Sequence, residues 1–357
     1  MNSKATIVML AILTVLASAN VSAAIEIHPK CKPLLHKRMG PFVNLNDGRV
    51  LAVTASEALI SKDEGKSWDS RPLFADPKKF QTRGERALLR TRNGVIVLAF
   101  LNESERSAGK WDTNDRDALS KFYLPTYVTR SFDEGKTWET PRRIQSGWCG
   151  AMRSLIQLGS GRLVLTGQQL VFDPGRHVVL SHVSDDDGKS WKRSNMIDLG
   201  GAGSHGGAME AAVAELSDGR VYMLIRTPKG WFWEAFSSDE GLTWSVIRQS
   251  KIRAPSAPPG LLTLQSGRLL LVCNLHRDKT CGYRDELSMA FSKDDGQTWT
   301  DPVVLARNRT PKGGDQYRHM LAYPYVFERR PGELWVTTFQ GMVRISLREA
   351  DFVKTKK

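Results

Sequence analysis

Short apolar runs alternate with polar, glycine-containing turns along nearly the whole chain. LNDGRVLAV, TRNGVIVLAF, LGSGRLVLTG, LSDGRVYMLIR, LQSGRLLLVCN and RRPGELWVTTF each place a β-rich run directly after such a turn. Asn-Gly, Asp-Gly and Ser-Gly pairs tolerate the positive φ that tight hairpins need, so these stretches predict six hairpins. No segment of useful length has a helical period. A second pattern follows five of the hairpins: SKDEGKSW (61–68), SFDEGKTW (131–138), SDDDGKSW (184–191), SSDEGLTW (237–244) and SKDDGQTW (292–299). Their opening serines stand at 61, 131, 184, 237 and 292, hence 70, 53, 53 and 55 residues apart. A period of this size signals stacked or radially repeated supersecondary units.

Each unit contains an apolar run, a Gly turn, a second apolar run, the octet and a polar strand-like tail. Six four-stranded antiparallel units without helices predict an all-β chain folded as a six-bladed β-propeller, in which radial repetition leaves few open edges. The sixth unit, 320–349, lacks an octet and is one strand short. IEIHPKC (25–31) is expected to supply that outer strand and close the ring. With no linker in sight, residues 24–357 are expected to form a single domain. The octet suits a turn: its Asp can bond nearby backbone, its Gly permits positive φ, its Ser/Thr bonds locally and its Trp packs between units. A group repeated on five outer turns cannot converge on one point, so the octet is read as scaffold.

The first residues are read differently. Lys4, the apolar run 7–16 and Val21-Ser22-Ala23 form the pattern of a cleavable signal peptide over 1–23, and the run is too short to span a membrane. A secreted or periplasmic chain is expected. The formal net charge is +13, and removing Lys4 with the leader leaves +12. Such a balance suits nucleic acid, anionic glycans or a small acidic substrate drawn into a basic cleft. Secretion, and basic residues spread along the chain with no arm or tail, argue against nucleic acid. The four cysteines, Cys31, Cys149, Cys273 and Cys281, fit two disulfides (Cys273–Cys281 and Cys31–Cys149) or buried free thiols equally well. Their spacing does not suggest zinc, and no other metal or cofactor is expected.

In a propeller the inner strands open onto one face around the axis. Counting back eight to ten residues from each hairpin glycine marks their starts: Arg38, Arg86, Arg153, Glu210, Pro258 and Tyr323. Three arginines, a carboxylate and a phenol at equivalent ring positions form an unusual set. Seven residues after the glycine stand Arg226 and Asn274, and Arg284 precedes the fifth octet. Guanidiniums gathered around one cavity repel one another unless an anion neutralises them, and carboxylate is the natural bidentate partner.

Ser-x-Asp-x-Gly-x-(Ser/Thr)-Trp resembles the Asp-box of sialidases and related BNR-repeat proteins. Five copies over nearly all the mature chain imply the six-bladed sialidase-type propeller. That resemblance implies an exo-α-sialidase acting with retention on a sialoglycoconjugate or another anionic glycan. SHGGAMEAAVAELSDGRVYMLIRT is similar to the fourth-blade sialidase segment, which places the activating Glu at Glu210 and the second arginine at Arg226. Arg284 looks like the third arginine. LAYPYVFE places the nucleophile at Tyr323, with Tyr325 as the alternative. His205, in GSHGG, is a candidate for lining the cleft.

The first blade departs from the family pattern. Arg38-Met39-Gly40-Pro41 stands where sialidases carry Arg-Ile-Pro, and AVTASEALISKDEG has almost no loop for the acid/base Asp. The long loop LNESERSAGKWDTNDRDALSKFYLPTY (101–127) lies in the second blade instead. Two registers compete. Blade count makes Arg38 the first arginine, with Asp112 or Asp115 as substitute acid; the other register gives Arg86 and Asp112 the two roles together. Other anionic sugars, such as uronic or sulfated ones, and a non-catalytic glycan-binding propeller remain alternatives. The sequence does not set the oligomeric state.

Overall fold

The computed structural model describes residues 25–114, 116–119, 121–275, 284–309 and 320–353. Among the described residues there is no α-helix, and the main strands form six antiparallel sheets, the blades of a β-propeller. The inner strands, in blade order 1 to 6, are Phe42–Asn44, Thr82–Arg90, Leu155–Gln157, Met209–Glu215, Gly260–Thr263 and Pro324–Arg330. Each packs against the next and the last packs against the first, which closes the ring around the axis. The six predicted hairpins are present, with Gly48, Gly94, Gly161, Gly219, Gly267 and Gly332 at φ between 70° and 102°.

The core is not central. It consists of six apolar layers, one between each pair of neighbouring blades. Both faces of each sheet are therefore buried, which explains why the middle strands read as unbroken apolar runs such as IVLAFL and VYMLI rather than alternating ones.

Ring closure differs from the expectation in register. Ile25–Ile27 pairs with Val303–Asn308 and adds a fifth strand to blade 5. The outer strand of blade 6 is Lys32–Pro33, paired with Ile345 and Ser346. The N-terminal segment thus crosses from one blade to the next, and the closing strand lies just beyond IEIHPKC.

The octets form one repeated turn. The serine Oγ accepts from the glycine N–H at 2.8–2.9 Å in all five copies. The aspartate Oδ1 accepts the Ser/Thr backbone N–H at 2.7–2.9 Å. The acidic fourth position takes φ of 51–62° and points away from its own blade. Each one reaches the hairpin turn of the preceding blade: Glu64 bonds Arg329, Glu134 bonds Asn46 N, Asp187 bonds Asn93, Glu240 pairs with Arg162, and Asp295 bonds Ser217. Blade 6 has no octet, and Glu349 does the same job, accepting from Ser266 Oγ at 2.7 Å and Arg268 Nη1 at 3.0 Å. Glu349 is buried. Glu349→Ala is therefore expected to lower unfolding stability by about 1–3 kcal/mol, the range for losing hydrogen bonds to a charged group. Urea denaturation checks this through a lower midpoint at unchanged slope.

Cys31, Cys149 and Cys273 are free, buried thiols. Cys31 sits in the layer between blades 5 and 6 and Cys149 in that between blades 2 and 3, so the Cys31–Cys149 bridge does not form. Cys281, Asp115 and the leader lie outside the described residues. Among the described residues no helix is long and apolar enough to cross a membrane.

Candidate active site

Near the start of two inner strands a non-glycine residue sits in the left-handed region: Glu210, second in its strand, has φ 33°, and Tyr323, just ahead of its strand, has φ 63°. Such backbone costs about 1–3 kcal/mol and persists only where its surroundings impose it. For Glu210 the surroundings come from blade 3. The Glu210 N–H donates to Gln168 Oε1 at 2.9 Å, Gln168 Nε2 meets His177 Nδ1 at 2.9 Å, and His177 Nε2 meets Ser204 O at 3.0 Å. Burial holds the His177 pKa down near 4, so the ring is neutral and can accept at one nitrogen while donating at the other. Gly207 lets the incoming chain pass: at φ 90°, any Cβ there would lie 2.1 Å from His177 O. Tyr323 is held by its neighbours. Its carbonyl accepts from Phe339 N at 3.1 Å, and Asn274 Nδ2 donates to Leu321 O at 3.0 Å.

This scaffolding brings two functional groups together. Tyr323 Oη donates to Glu210 Oε1 at 3.1 Å. Arg226 Nη1 donates to Glu210 Oε2 and reaches Tyr323 Oη at 3.2 Å, while its Nε donates to Ser256 Oγ at 3.0 Å. Arg284 donates to the Ser256 carbonyl and to Gln340 Oε1 at 3.1 Å, and its guanidinium lies 5.5 Å from the Tyr323 ring centre. Arg153 crosses the axis from blade 3 to blade 6. It donates to Pro324 O at 2.8 Å and lies 5.3 Å from the Tyr323 ring centre and 4.6 Å from that of Tyr325. Its Nε and Nη1 are buried without a hydrogen-bond acceptor, and the two aromatic faces supply the negative potential there.

The electrostatics follow from this crowding. Burial alone raises the pKa of Glu210, but the charge and hydrogen bond of Arg226, with Arg153 and Arg284, outweigh it and leave the carboxylate below its ordinary range. The Tyr323 phenol is pushed up to about 12, first by burial and then by the Glu210 charge, with Arg226 and Arg284 pulling the other way. The resting pair is thus a neutral phenol hydrogen-bonded to an anionic base.

Of the residues singled out in the sequence, Glu210, Tyr323, Arg226, Arg284 and Arg153 converge. The others do not. Arg86 is buried, but its guanidinium turns to the carbonyls of Val53 and Arg83, so it braces blades 1 and 2. Arg38 lies four residues before its blade's inner strand and is exposed; among the described residues only its backbone N–H is engaged, with His36 Nδ1. Asp112 is used within its own loop, where Oδ1 accepts from Arg116 N at 2.6 Å. His205 is exposed against Ser204 Oγ at 3.1 Å. Asn274 holds backbone. Tyr325 is within the strand rather than ahead of it, and its Oη donates to Gly84 O at 2.8 Å, away from Glu210. Sequence reasoning missed Ser256, Gln340, Gln168 and Glu85. None carries a motif signal, since each matters only through the blade it faces.

Comparison with known proteins agrees with this architecture. The model of the BNR repeat-like domain matches residues 60–336, over half of the chain. The chain belongs to the BNR repeat-like family. A curated relative, a sialidase from Bacteroides fragilis (strain YCH46), is 24% identical over 67% of this chain and 47% of its own length. The chain therefore spans about half the length of that relative. Among solved structures, a point mutant of the NanB sialidase from Streptococcus pneumoniae superposes with a TM-score of 0.59 at 15% identity, covering 88% of this chain and 68% of that one. The intramolecular trans-sialidase from Ruminococcus gnavus, in complex with oseltamivir carboxylate, gives 0.55 at 15% identity, covering 90% and 96%. At these identities the likeness establishes the fold that this BNR repeat-like chain shares with sialidases.

Proposed function

We propose that the chain is a glycoside hydrolase that removes a terminal acidic sugar, most specifically a retaining exo-α-sialidase acting outside the cytoplasm. The observation that carries the reading is the 3.1 Å hydrogen bond from Tyr323 Oη to Glu210 Oε1 within a group of arginines. An anomeric carbon that bears a carboxylate repels an anionic nucleophile. A neutral phenol that gives its proton to a neighbouring base as it attacks avoids that repulsion, and tyrosine-nucleophile sialidases are the recognised exception to the two-carboxylate scheme. Glu210 is the base, Tyr323 the nucleophile, and Arg226 and Arg284 hold the substrate carboxylate, with Arg153 adding positive charge beneath it. A binding protein has no need of a phenol bonded to a buried base.

Purified protein is expected to release the fluorophore from an aryl α-sialoside with net retention at the anomeric carbon, read by fluorescence and by NMR of the first-formed product. Sialic acid binding in calorimetry with no turnover of any sialoside would instead make the cleft a lectin site. Turnover confined to uronides or sulfated sugars would move the activity to another anionic glycan.

A further inference from the structure

A retaining mechanism also needs a group to protonate the leaving oxygen, and Asp112, the described one of the two candidate loop acids, does not supply it. Blade 1 turns from its second to its third strand through Thr54-Ala55-Ser56, and Asp112 is bonded within its own loop. Among the described residues, a further buried carboxylate lies on a strand segment that borders the packing around Tyr323. Glu85, on the inner strand of blade 2, is buried, with 9% of its side chain exposed. It is close enough to Tyr323 to act electrostatically on the phenol, and it acts likewise on Arg86. Its neighbour Gly84 packs on Phe339, where an added Cβ would come within 2.5 Å of Cε2. Phe339 in turn meets the Tyr323 ring edge-on, with centroids 6.0 Å apart. The Glu85 side chain is also oriented. Arg83 Nε donates to Oε2 at 2.8 Å, while Oε1 has no hydrogen bond among the described residues. Arg83 is shared, since its Nη1 pairs with Glu103 at 3.1 Å, so one guanidinium serves two carboxylates.

We propose that Glu85 is the general acid/base of this site, taking the role for which the family's blade-1 loop is missing. This rests on the hydrolase reading above. In the first step the Glu85 carboxyl gives its proton to the glycosidic oxygen as the bond from that oxygen to the anomeric carbon breaks. The bonding pair leaves on the alcohol; Tyr323 Oη bonds to the carbon and passes its proton to Glu210. In the second step water attacks the same carbon and gives a proton to Glu85. The phenolate leaves and recovers its proton from Glu210, so both carboxyl groups return to their starting states.

The test compares leaving groups. An aryl glycoside needs little protonation and an alkyl-linked one needs much, so Glu85→Gln should lower kcat/KM for sialyllactose by about 100-fold or more, and for the aryl sialoside by under about tenfold. Azide should restore turnover of the aryl substrate by Glu85→Ala and give a glycosyl azide of retained configuration. Equal losses on both substrates, or none, overturn the proposal; equal losses would make Glu85 a positioning partner of Arg83. A second measurement does not depend on substrate. With 2,3,5-trifluorotyrosine in place of Tyr323, Glu85→Gln should lower the pH at which that phenol ionises by about half a unit or more, because a facing negative charge has gone. No shift overturns the proposal even if the protein cleaves no sialoside. A shift without sialoside turnover leaves Glu85 facing the nucleophile and places the failure on the choice of sugar, which the same leaving-group comparison with uronides then decides.

Discussion

Tyr323→Phe is expected to lower kcat by about 10³-fold or more while leaving substrate affinity within a few fold of wild type. The substitution removes one oxygen and little else. The ring keeps its edge contact with Phe339 and its place over the Arg153 guanidinium. Arg226 and Arg284 remain to hold a substrate carboxylate. The covalent intermediate is lost, because among the described residues no other phenol can take over. Tyr325, the closest in sequence, has its Oη committed to Gly84 O and to the Arg86 backbone. Folding should survive the change, since the two hydrogen bonds lost, to Glu210 and from Arg226, contribute about 1.5–3 kcal/mol each. Single-turnover kinetics with an aryl sialoside and calorimetric binding of sialic acid separate the two effects. A variant within tenfold of wild-type kcat would take the nucleophile away from Tyr323.

The fold was legible because its signals are local and repeated. A glycine that needs positive φ marks each hairpin, and the octet marks each outer turn, so spacing alone counts the blades. Ring closure was less legible. Both Ile25–Ile27 and Lys32–Pro33 are short edge strands of ordinary composition, and only the packed neighbours decide which blade each one joins. The site divides in the same way. Glu210, Tyr323 and Arg226 could be read from register because each lies at a strand end, where the fold dictates position. Arg86 occupies the same register slot as Arg153 but is drawn into backbone carbonyls of blade 1, a choice made by side-chain rotamer rather than by strand position. Asp112 and Arg38 show the limits more sharply, since loop length and charge indicate that a segment is solvated without fixing where it points. Glu85 went unmarked because it is one carboxylate within the Arg-Gly-Glu-Arg stretch 83–86, and only the assembled ring brings its neighbour Gly84 against Phe339 of blade 6.

Arg226→Met should be the most disruptive single change to the resting site, and it acts through Glu210. In the wild-type protein the Glu210 pKa is held below that of the unfolded chain, so its ion pair stabilises the fold above the ordinary carboxylate range. That contribution is lost as the pH falls through the folded value. Without Arg226, burial becomes the dominant influence and the folded pKa moves up instead of down. At neutral pH the variant then carries a buried carboxylate lacking its main partner, at a cost of about 3–5 kcal/mol. The sign of the pH dependence follows. The stability gap between wild type and variant should be largest near neutrality and shrink on acidification, as Glu210 takes up a proton in the variant and the wild-type pair loses its advantage. The acid limb of the kcat/KM profile, which reports the free-enzyme base, should move to higher pH for the same reason. Urea unfolding at several pH values measures the first effect, and a pH–rate profile the second. Adding Glu210→Gln supplies the control: the double variant should regain part of the stability that Arg226→Met loses, because the unpaired charge is gone. A double variant as unstable as the sum of the two single ones would show that Arg226 stabilises the site through packing alone, and would remove the ion pair from the account of how Glu210 is kept ionised.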